Sequence, residues 1–153
     1  MSKRTRKVSA SRVIEADRQA IFDVLADPAM HPVIDGSGTV RDVQSGGPER
    51  LHLGARFGMS MKVGVPYRIL NTVVEFEEGR RIAWRHFHGH RWRYELEDTT
   101  TDDGRPATLV TETFDWSRAL TKVWLDLSSY PRHNLQGIKK TLARLDDHVR
   151  ARV

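Results

Sequence analysis

Residues 130–149, YPRHNLQGIKKTLARLDDHV, decide the fold. Leu135, Ile138, Leu142, Leu145 and Val149 recur three and four residues apart, so they align as one apolar stripe on a helix, with Lys139, Lys140, Arg144 and Asp147 on the opposite face. Pro131 suits the first turn, where a missing N–H costs nothing. Gly137 is a weak point, costing about 1 kcal/mol relative to alanine. Such a stripe needs a partner surface. Most of the chain from Thr39 to Trp116 reads as short alternating strands, so the partner is most economically one antiparallel sheet.

Working outward, Val8, Ala10, Val13 and Ile14 mark a first strand over 8–16. Asp17 is placed to cap a helix carrying Ile21, Phe22, Val24 and Leu25, which Asp27-Pro28 breaks. A short second helix or turn over 28–34 ends at Asp35-Gly36-Ser37-Gly38. The period then changes to two. Val40 to Gln44 is a strand and Ser45 to Glu49 a loop. Ala55, Phe57, Met59 and Met61 alternate with Arg56, Gly58, Ser60 and Lys62. The strand over 66–76 has apolar residues on both faces, which leaves its inward side open. After a turn at Glu77-Glu78-Gly79-Arg80, strands follow over 82–88, around Trp92, Tyr94 and Leu96, and over 108–116. Leu120, Val123, Trp124 and Leu127 then have helical spacing. The order is an α+β one: a strand, two short helices, further antiparallel strands making about six or seven in all, and a long helix that the curved sheet wraps. Two such curved surfaces seldom meet everywhere, and a cavity between them is expected.

The 153 residues read as a disordered basic tail over 1–7 and a single domain over 8–153. Lys3, Arg4, Arg6 and Lys7 supply four of the five net positive charges, leaving 21 basic against 20 acidic residues beyond residue 7. The charge is therefore not a basic face with interleaved aromatics, and no nucleic-acid partner is expected. No run approaches the roughly 18 apolar residues of a membrane span. The start, Met-Ser-Lys-Arg-Thr-Arg-Lys, lacks a signal peptide's apolar centre, which points to the cytoplasm without integral membrane association. The absence of cysteine excludes disulfides, thiol catalysis and thiolate metal sites. Gly36-x-Gly38 fails as a nucleotide fingerprint because Arg41 stands at the third glycine position.

Several stretches together resemble the START-like helix-grip superfamily, also called SRPBCC, in particular its bacterial polyketide cyclase/dehydrase-type members. They are Arg12-Val13-Ile14-Glu15-Ala16, Ile21 to Pro28, His31 to Gly36, Gly79 to Trp84, Thr111 to Trp116, and Asn134 to Leu145. The resemblance implies a helix-grip fold that holds a hydrophobic guest between sheet and helix. It also implies that some members are aromatase/cyclases, others carriers or receptors, and one branch chaperone activators. Ser45-Gly46-Gly47-Pro48 is a partial counterpart of the glycine-rich loop of plant members.

The residue chemistry sets the candidates. Phe57, Met59, Met61, Tyr67, Trp84, Trp92 and Tyr94, with Trp124, Tyr130, Asn134 and Ile138 from the helical end, are the expected lining of a ligand cavity, since aromatics with polar tips and adaptable methionines suit an apolar guest. His86 shares the face of Trp84, as residues two apart on a strand do, and is the stronger proton-donor candidate beside His88 and His90. No carboxylate or fourth ligand accompanies these histidines, so no metal and no cofactor are expected. His31 and Asp35 form a candidate acid–base pair. Arg93 and Glu112 are read as a cross-strand ion pair. The expected function is binding, and by extension transport, of a hydrophobic small molecule or lipid-like metabolite. The alternatives are a cyclase or dehydratase using His86, His31 and Asp35, and a protein-interaction module. Oligomeric state is left open.

Overall fold

The computed structural model describes residues 6–43, 47–86 and 89–151. In chain order the elements are β1 (Lys7–Ile14), α1 (Arg18–Leu25), a 3-10 turn (Pro28–Met30), α2 (His31–Ile34), β2 (Val40–Val43), β3 (Arg56–Val63), β4 (Val65–Glu77), β5 (Arg81–Arg85), β6 (Arg91–Thr100), β7 (Pro106–Asp115), α3 (Lys122–Leu127) and α4 (Tyr130–Arg150). One antiparallel sheet of seven strands runs β1-β7-β6-β5-β4-β3-β2 and curls into a half-barrel. The chain thus crosses from one edge strand to the other through α1 and α2, then returns strand by strand.

The apolar stripe of α4 does what its spacing dictates: Ile138, Leu142, Leu145 and Val149 are buried. Each such side chain contributes about 1.5–3 kcal/mol by leaving water. Their partners are chiefly β1, with β7, α1 and α2 behind it. Arg12, on the inner face of β1, donates to Asp146 of α4 at 2.7 Å, which fixes the helix along that edge of the sheet. A second tie runs from Arg6 to Asp126 on α3 at 3.0 Å, and the Trp116 indole N–H donates to the same carboxylate at 2.8 Å.

Some local expectations are displaced. Asp17 precedes α1 without a side-chain cap bond, whereas Asp27 accepts from the Ala29 N–H and caps the next turn. The basic stretch over 1–7 is not all tail: Lys7 opens β1 and Arg6 holds Asp126, while residues 1–5 lie outside the described residues. Residues 44–46 of the glycine-containing loop lie outside them too.

Strand β4 explains its own ambiguous pattern. Val73 faces Trp84 and Glu75 faces Ala83, so Val74 is an extra residue and the register shifts there. Before this bulge Tyr67, Ile69, Asn71 and Val73 share a face with the partners Met61, Met59, Phe57 and Trp84; beyond it Phe76 regains that face opposite Ile82. A bulge exchanges odd for even along the strand, which is why both parities carry apolar side chains.

A backbone contact sets how close α2 lies to α4. A Cβ at Gly36 would stand 2.4 Å from Lys140 Cβ and 2.5 Å from the Thr141 nitrogen, so only glycine fits. The Gly36 N–H donates to Thr141 Oγ1 at 2.9 Å, and Arg144 donates to the Asp35 carbonyl at 2.9 Å. On the other side of the contact, a Cβ at Gly137 would meet Ser37 Cβ at 3.4 Å, ordinary van der Waals contact. The two glycines therefore separate: Gly36→Ala should lower the urea midpoint by an amount equivalent to about 2–4 kcal/mol, in the range of overpacked cores and lost buried bonds. Gly137→Ala should leave it unchanged or raise it by up to about 1 kcal/mol. Equal midpoints for Gly36→Ala and wild type would show that α2 and α4 are not wedged together.

Candidate functional site

Cross-strand register places the inner face of the sheet residue by residue. Glu112 of β7 stands between Ala10 of β1 and Tyr94 of β6; Phe114 stands between Val8 and Trp92; Trp92 faces Trp84, which faces Val73. Opposed residues share a face, so the aromatic ladder Phe114, Trp92 and Trp84 runs across three strands toward α2. There the buried His31 ring stacks on Trp84 with centroids 4.6 Å apart, and Phe57 meets both rings edge-on at 5.5 and 5.7 Å. Tyr94 tilts against Trp84 at 5.7 Å.

The sequence-derived residues divide into three groups by burial. Phe57, Met59, Trp84, Tyr94 and Ile138 are buried in the core, and Met61 and Trp92 are half-buried against it. His86 and Asn134 are half-buried at the end where β5 stops and α4 begins. The His86 and His90 rings lie 4.4 Å apart, and His88 lies outside the described residues. Gly89 has φ +96°, and a Cβ there would meet the Arg118 carbonyl oxygen at 2.6 Å, so the Gly89 backbone is pressed against the approach to α3. Tyr67 and Tyr130 are exposed at 43% and 42%; the Tyr130 ring stands edge-on to Phe114 at 5.8 Å. Trp124 is 67% exposed, and with Leu120, Val123 and Leu127 it makes α3 and its approach an apolar surface.

His31 and Asp35 are each engaged separately. His31 Nε2 bonds to the Leu25 carbonyl at 2.9 Å, while the Asp35 carboxylate accepts from the Ser37 hydroxyl at 2.7 Å and the Val40 N–H at 3.0 Å. Burial pushes the His31 imidazole below its ordinary 6.5, opposed by the Leu25 carbonyl and by Asp27 and Asp35.

The expected pair of Arg93 with Glu112 is not formed, because a one-residue offset puts the two on opposite faces. Arg93 lies across from Thr113 and points outward to Glu75 at 2.8 Å and Asp115 at 3.4 Å; Arg91 joins Glu75 at 3.0 Å. Hydrogen bonds from Arg93 are the main cause holding the Glu75 carboxyl below its ordinary range. Glu112 faces inward and is 3% exposed. Among the described residues its Oε1 has no hydrogen-bond partner, as is true of Asn71 Oδ1. Burial raises the Glu112 carboxyl well above the usual carboxylate range; the Tyr94 hydroxyl opposes that shift and the charge of Asp35 adds to it. Glu112 and Asn71 were missed in the sequence, where the only signal is a polar residue in phase with Val110 and Phe114, and another in phase with Ile69 and Val73.

A cleft of about 110 Å³ opens between β1 and α4, lined by Ala10, Ser11, Arg12, Lys139 and Leu142. Among the described residues no helix is long and apolar enough to cross a membrane.

No protein-family model matches the chain. An uncharacterised protein of Mycobacterium tuberculosis is 36% identical over 147 residues, covering 92% of this chain and 63% of the relative, so the chain spans less than two thirds of that relative's length. Among solved structures, protein Ms6760 of Mycobacterium smegmatis superposes with a TM-score of 0.71 at 16% identity, over 97% of this chain and 94% of that one. The AHSA1-like protein of Aeromonas hydrophila superposes with a TM-score of 0.61 at 20% identity, over 95% and 92%. These likenesses establish the fold: the chain has the helix-grip fold.

The buried imidazole has a consequence for acid stability. The folded chain holds His31 neutral, and the unfolded chain protonates it first. Its contribution to stability is therefore present above 6.5 and is lost as pH falls toward the lower folded value. Urea unfolding at about pH 7.5 and about pH 5.5 should show a smaller acid-side loss in His31→Phe than in wild type. Identical losses would show that His31 titrates alike in both states.

Proposed function

We propose that this chain binds a hydrophobic small molecule or lipid-like metabolite between the sheet and α4. The observation that carries this reading is the composition of the inner face. It presents an aromatic ladder and methionines, yet keeps Glu112 Oε1 and Asn71 Oδ1 without hydrogen-bond partners among the described residues. A face that served packing alone would do better with apolar residues at those positions, because an unmade buried hydrogen bond costs about 1–3 kcal/mol. The helix-grip fold supports the same reading. The cleft between β1 and α4 is smaller than the roughly 300–1,000 Å³ of ordinary ligand sites and is not by itself the seat of the guest. Met59 and Met61, unbranched and adaptable, are suited to give way.

Catalysis by a His31–Asp35 pair has less support, since each side chain is committed elsewhere. The exposed apolar surface of α3 favours a second reading, a protein-interaction module, because contiguous apolar patches mark contact sites. A Trp124→Ser, Leu127→Ser double variant separates the two: under the interaction reading it loses partner capture, and under the binding reading it retains uptake of an apolar guest.

Titration with the apolar fluorophore N-phenyl-1-naphthylamine should give saturable uptake at about one molecule per chain. Met61→Glu, which puts a charge on the half-buried inner face, should weaken that uptake by about tenfold or more with an unchanged circular dichroism spectrum. Absence of saturable uptake in the wild type would refute the proposed function.

A further inference from the structure

The reading of an apolar guest does not by itself say how the guest is recognised, and Glu112 bears on that. Its carboxyl sits in the middle of the sheet, on the face turned toward α4, with 3% exposure. A glutamate so placed is normally paired with a cation or coordinates a metal. Here the nearby cations are committed. Arg12, one position along the same face of the neighbouring strand, is taken by Asp146 at 2.7 Å. Arg93 lies on the other face of the sheet with Glu75 and Asp115. Among the described residues Glu112 has no ion pair. Tyr94 stands opposite on β6, where its hydroxyl works against the upward shift of the carboxyl, and among the described residues Oε1 has no hydrogen-bond partner. Across the strand, Ala10 offers only a methyl group, so the β1 residue opposite Glu112 supplies no hydrogen-bond donor.

Resting on the binding function proposed above, we infer that Glu112 Oε1 is the recognition point for a hydrogen-bond donor, hydroxyl or amine, on an otherwise apolar guest. The folded chain leaves one strong acceptor buried, and an O–H or N–H from a bound molecule removes that cost at the moment of binding. A guest lacking the donor leaves Oε1 as it was and gains only apolar burial. Tyr94 lies opposite Glu112 on β6 and its ring tilts against Trp84 at 5.7 Å, so aromatic surface flanks the acceptor and suits an apolar body.

Three naphthalene probes of similar size test this by isothermal titration calorimetry: 2-naphthol, 2-(aminomethyl)naphthalene and 2-methoxynaphthalene. Wild type should bind one or both of the donor-bearing probes at least about tenfold tighter than the methoxy compound, and which of the two gains more separates hydroxyl from amine recognition. Glu112→Leu should erase that preference while keeping affinity for 2-methoxynaphthalene. Glu112→Gln, isosteric and still an acceptor, should keep a preference for the alcohol and lose one for the charged amine, and it carries the test should the leucine variant fail to fold. Equal binding of all three probes by wild type, or an unchanged preference in Glu112→Leu, would overturn the role of Glu112 and leave the binding function standing. Failure of every probe to bind would overturn both.

Discussion

The seat of α4 on β1 and β7 is the contact on which the rest of the molecule depends. Ile138, Leu142, Leu145 and Val149 need an apolar partner, and the inner face of the sheet is the one large surface that supplies it. Because the helix is fixed along the β1 edge by Arg12 and Asp146, it covers one part of the curved sheet rather than its whole width. The inner faces of β3 and β4 must be covered by something else. That role falls to the α2 region, whose His31 packs on Trp84 and Phe57. Gly36 then determines how tightly this second cover meets the first, since its missing side chain lets α2 and the backbone of α4 come into direct contact.

The two faces of the sheet solve the problem of charge differently. Outside, Arg91 and Arg93 converge on Glu75 and Asp115 where water still reaches, and each group finds an opposite charge. Pairs of this kind are modest individually because solvent screens them, but they tie β4, β6 and β7 together across the convex side. Inside, no such compensation exists for Glu112. Burial raises its carboxyl well above the usual carboxylate range, an arrangement that costs stability and therefore asks for a purpose. The bulge at Val74 connects the two solutions. It turns Glu75 outward into the ion network while returning Phe76 to the core, where it meets Phe22 of α1 edge-on at 5.5 Å.

Much of this architecture was legible in the residues alone. The three-and-four spacing of 135–149, the alternation of 55–62 and the turn residues at 77–80 and 102–106 specify elements through local geometry, because a helix and a strand each impose a fixed period on side-chain direction. A strand followed by two helices before the remaining strands was enough to indicate one sheet around one terminal helix. What the periodicity could not supply was the direction of β4, since a single extra residue inverts every side chain beyond it. The same parity problem misplaced Glu112: opposite Arg93 it is half of a surface ion pair, and one residue over it is a buried acid.

The sequence by itself thus determined the order of elements, the apolar stripe of α4 and the set of aromatic and methionine side chains available to a guest. Tertiary structure alone decided which side of the sheet each strand residue occupies, that His31 and Asp35 are engaged apart from one another, and that Glu112 and Asn71 lie inside with atoms unsatisfied. The reason is physical. Periodicity is a property of neighbours along the chain, whereas burial, charge pairing and hydrogen-bond satisfaction are properties of partners that register brings together from distant positions.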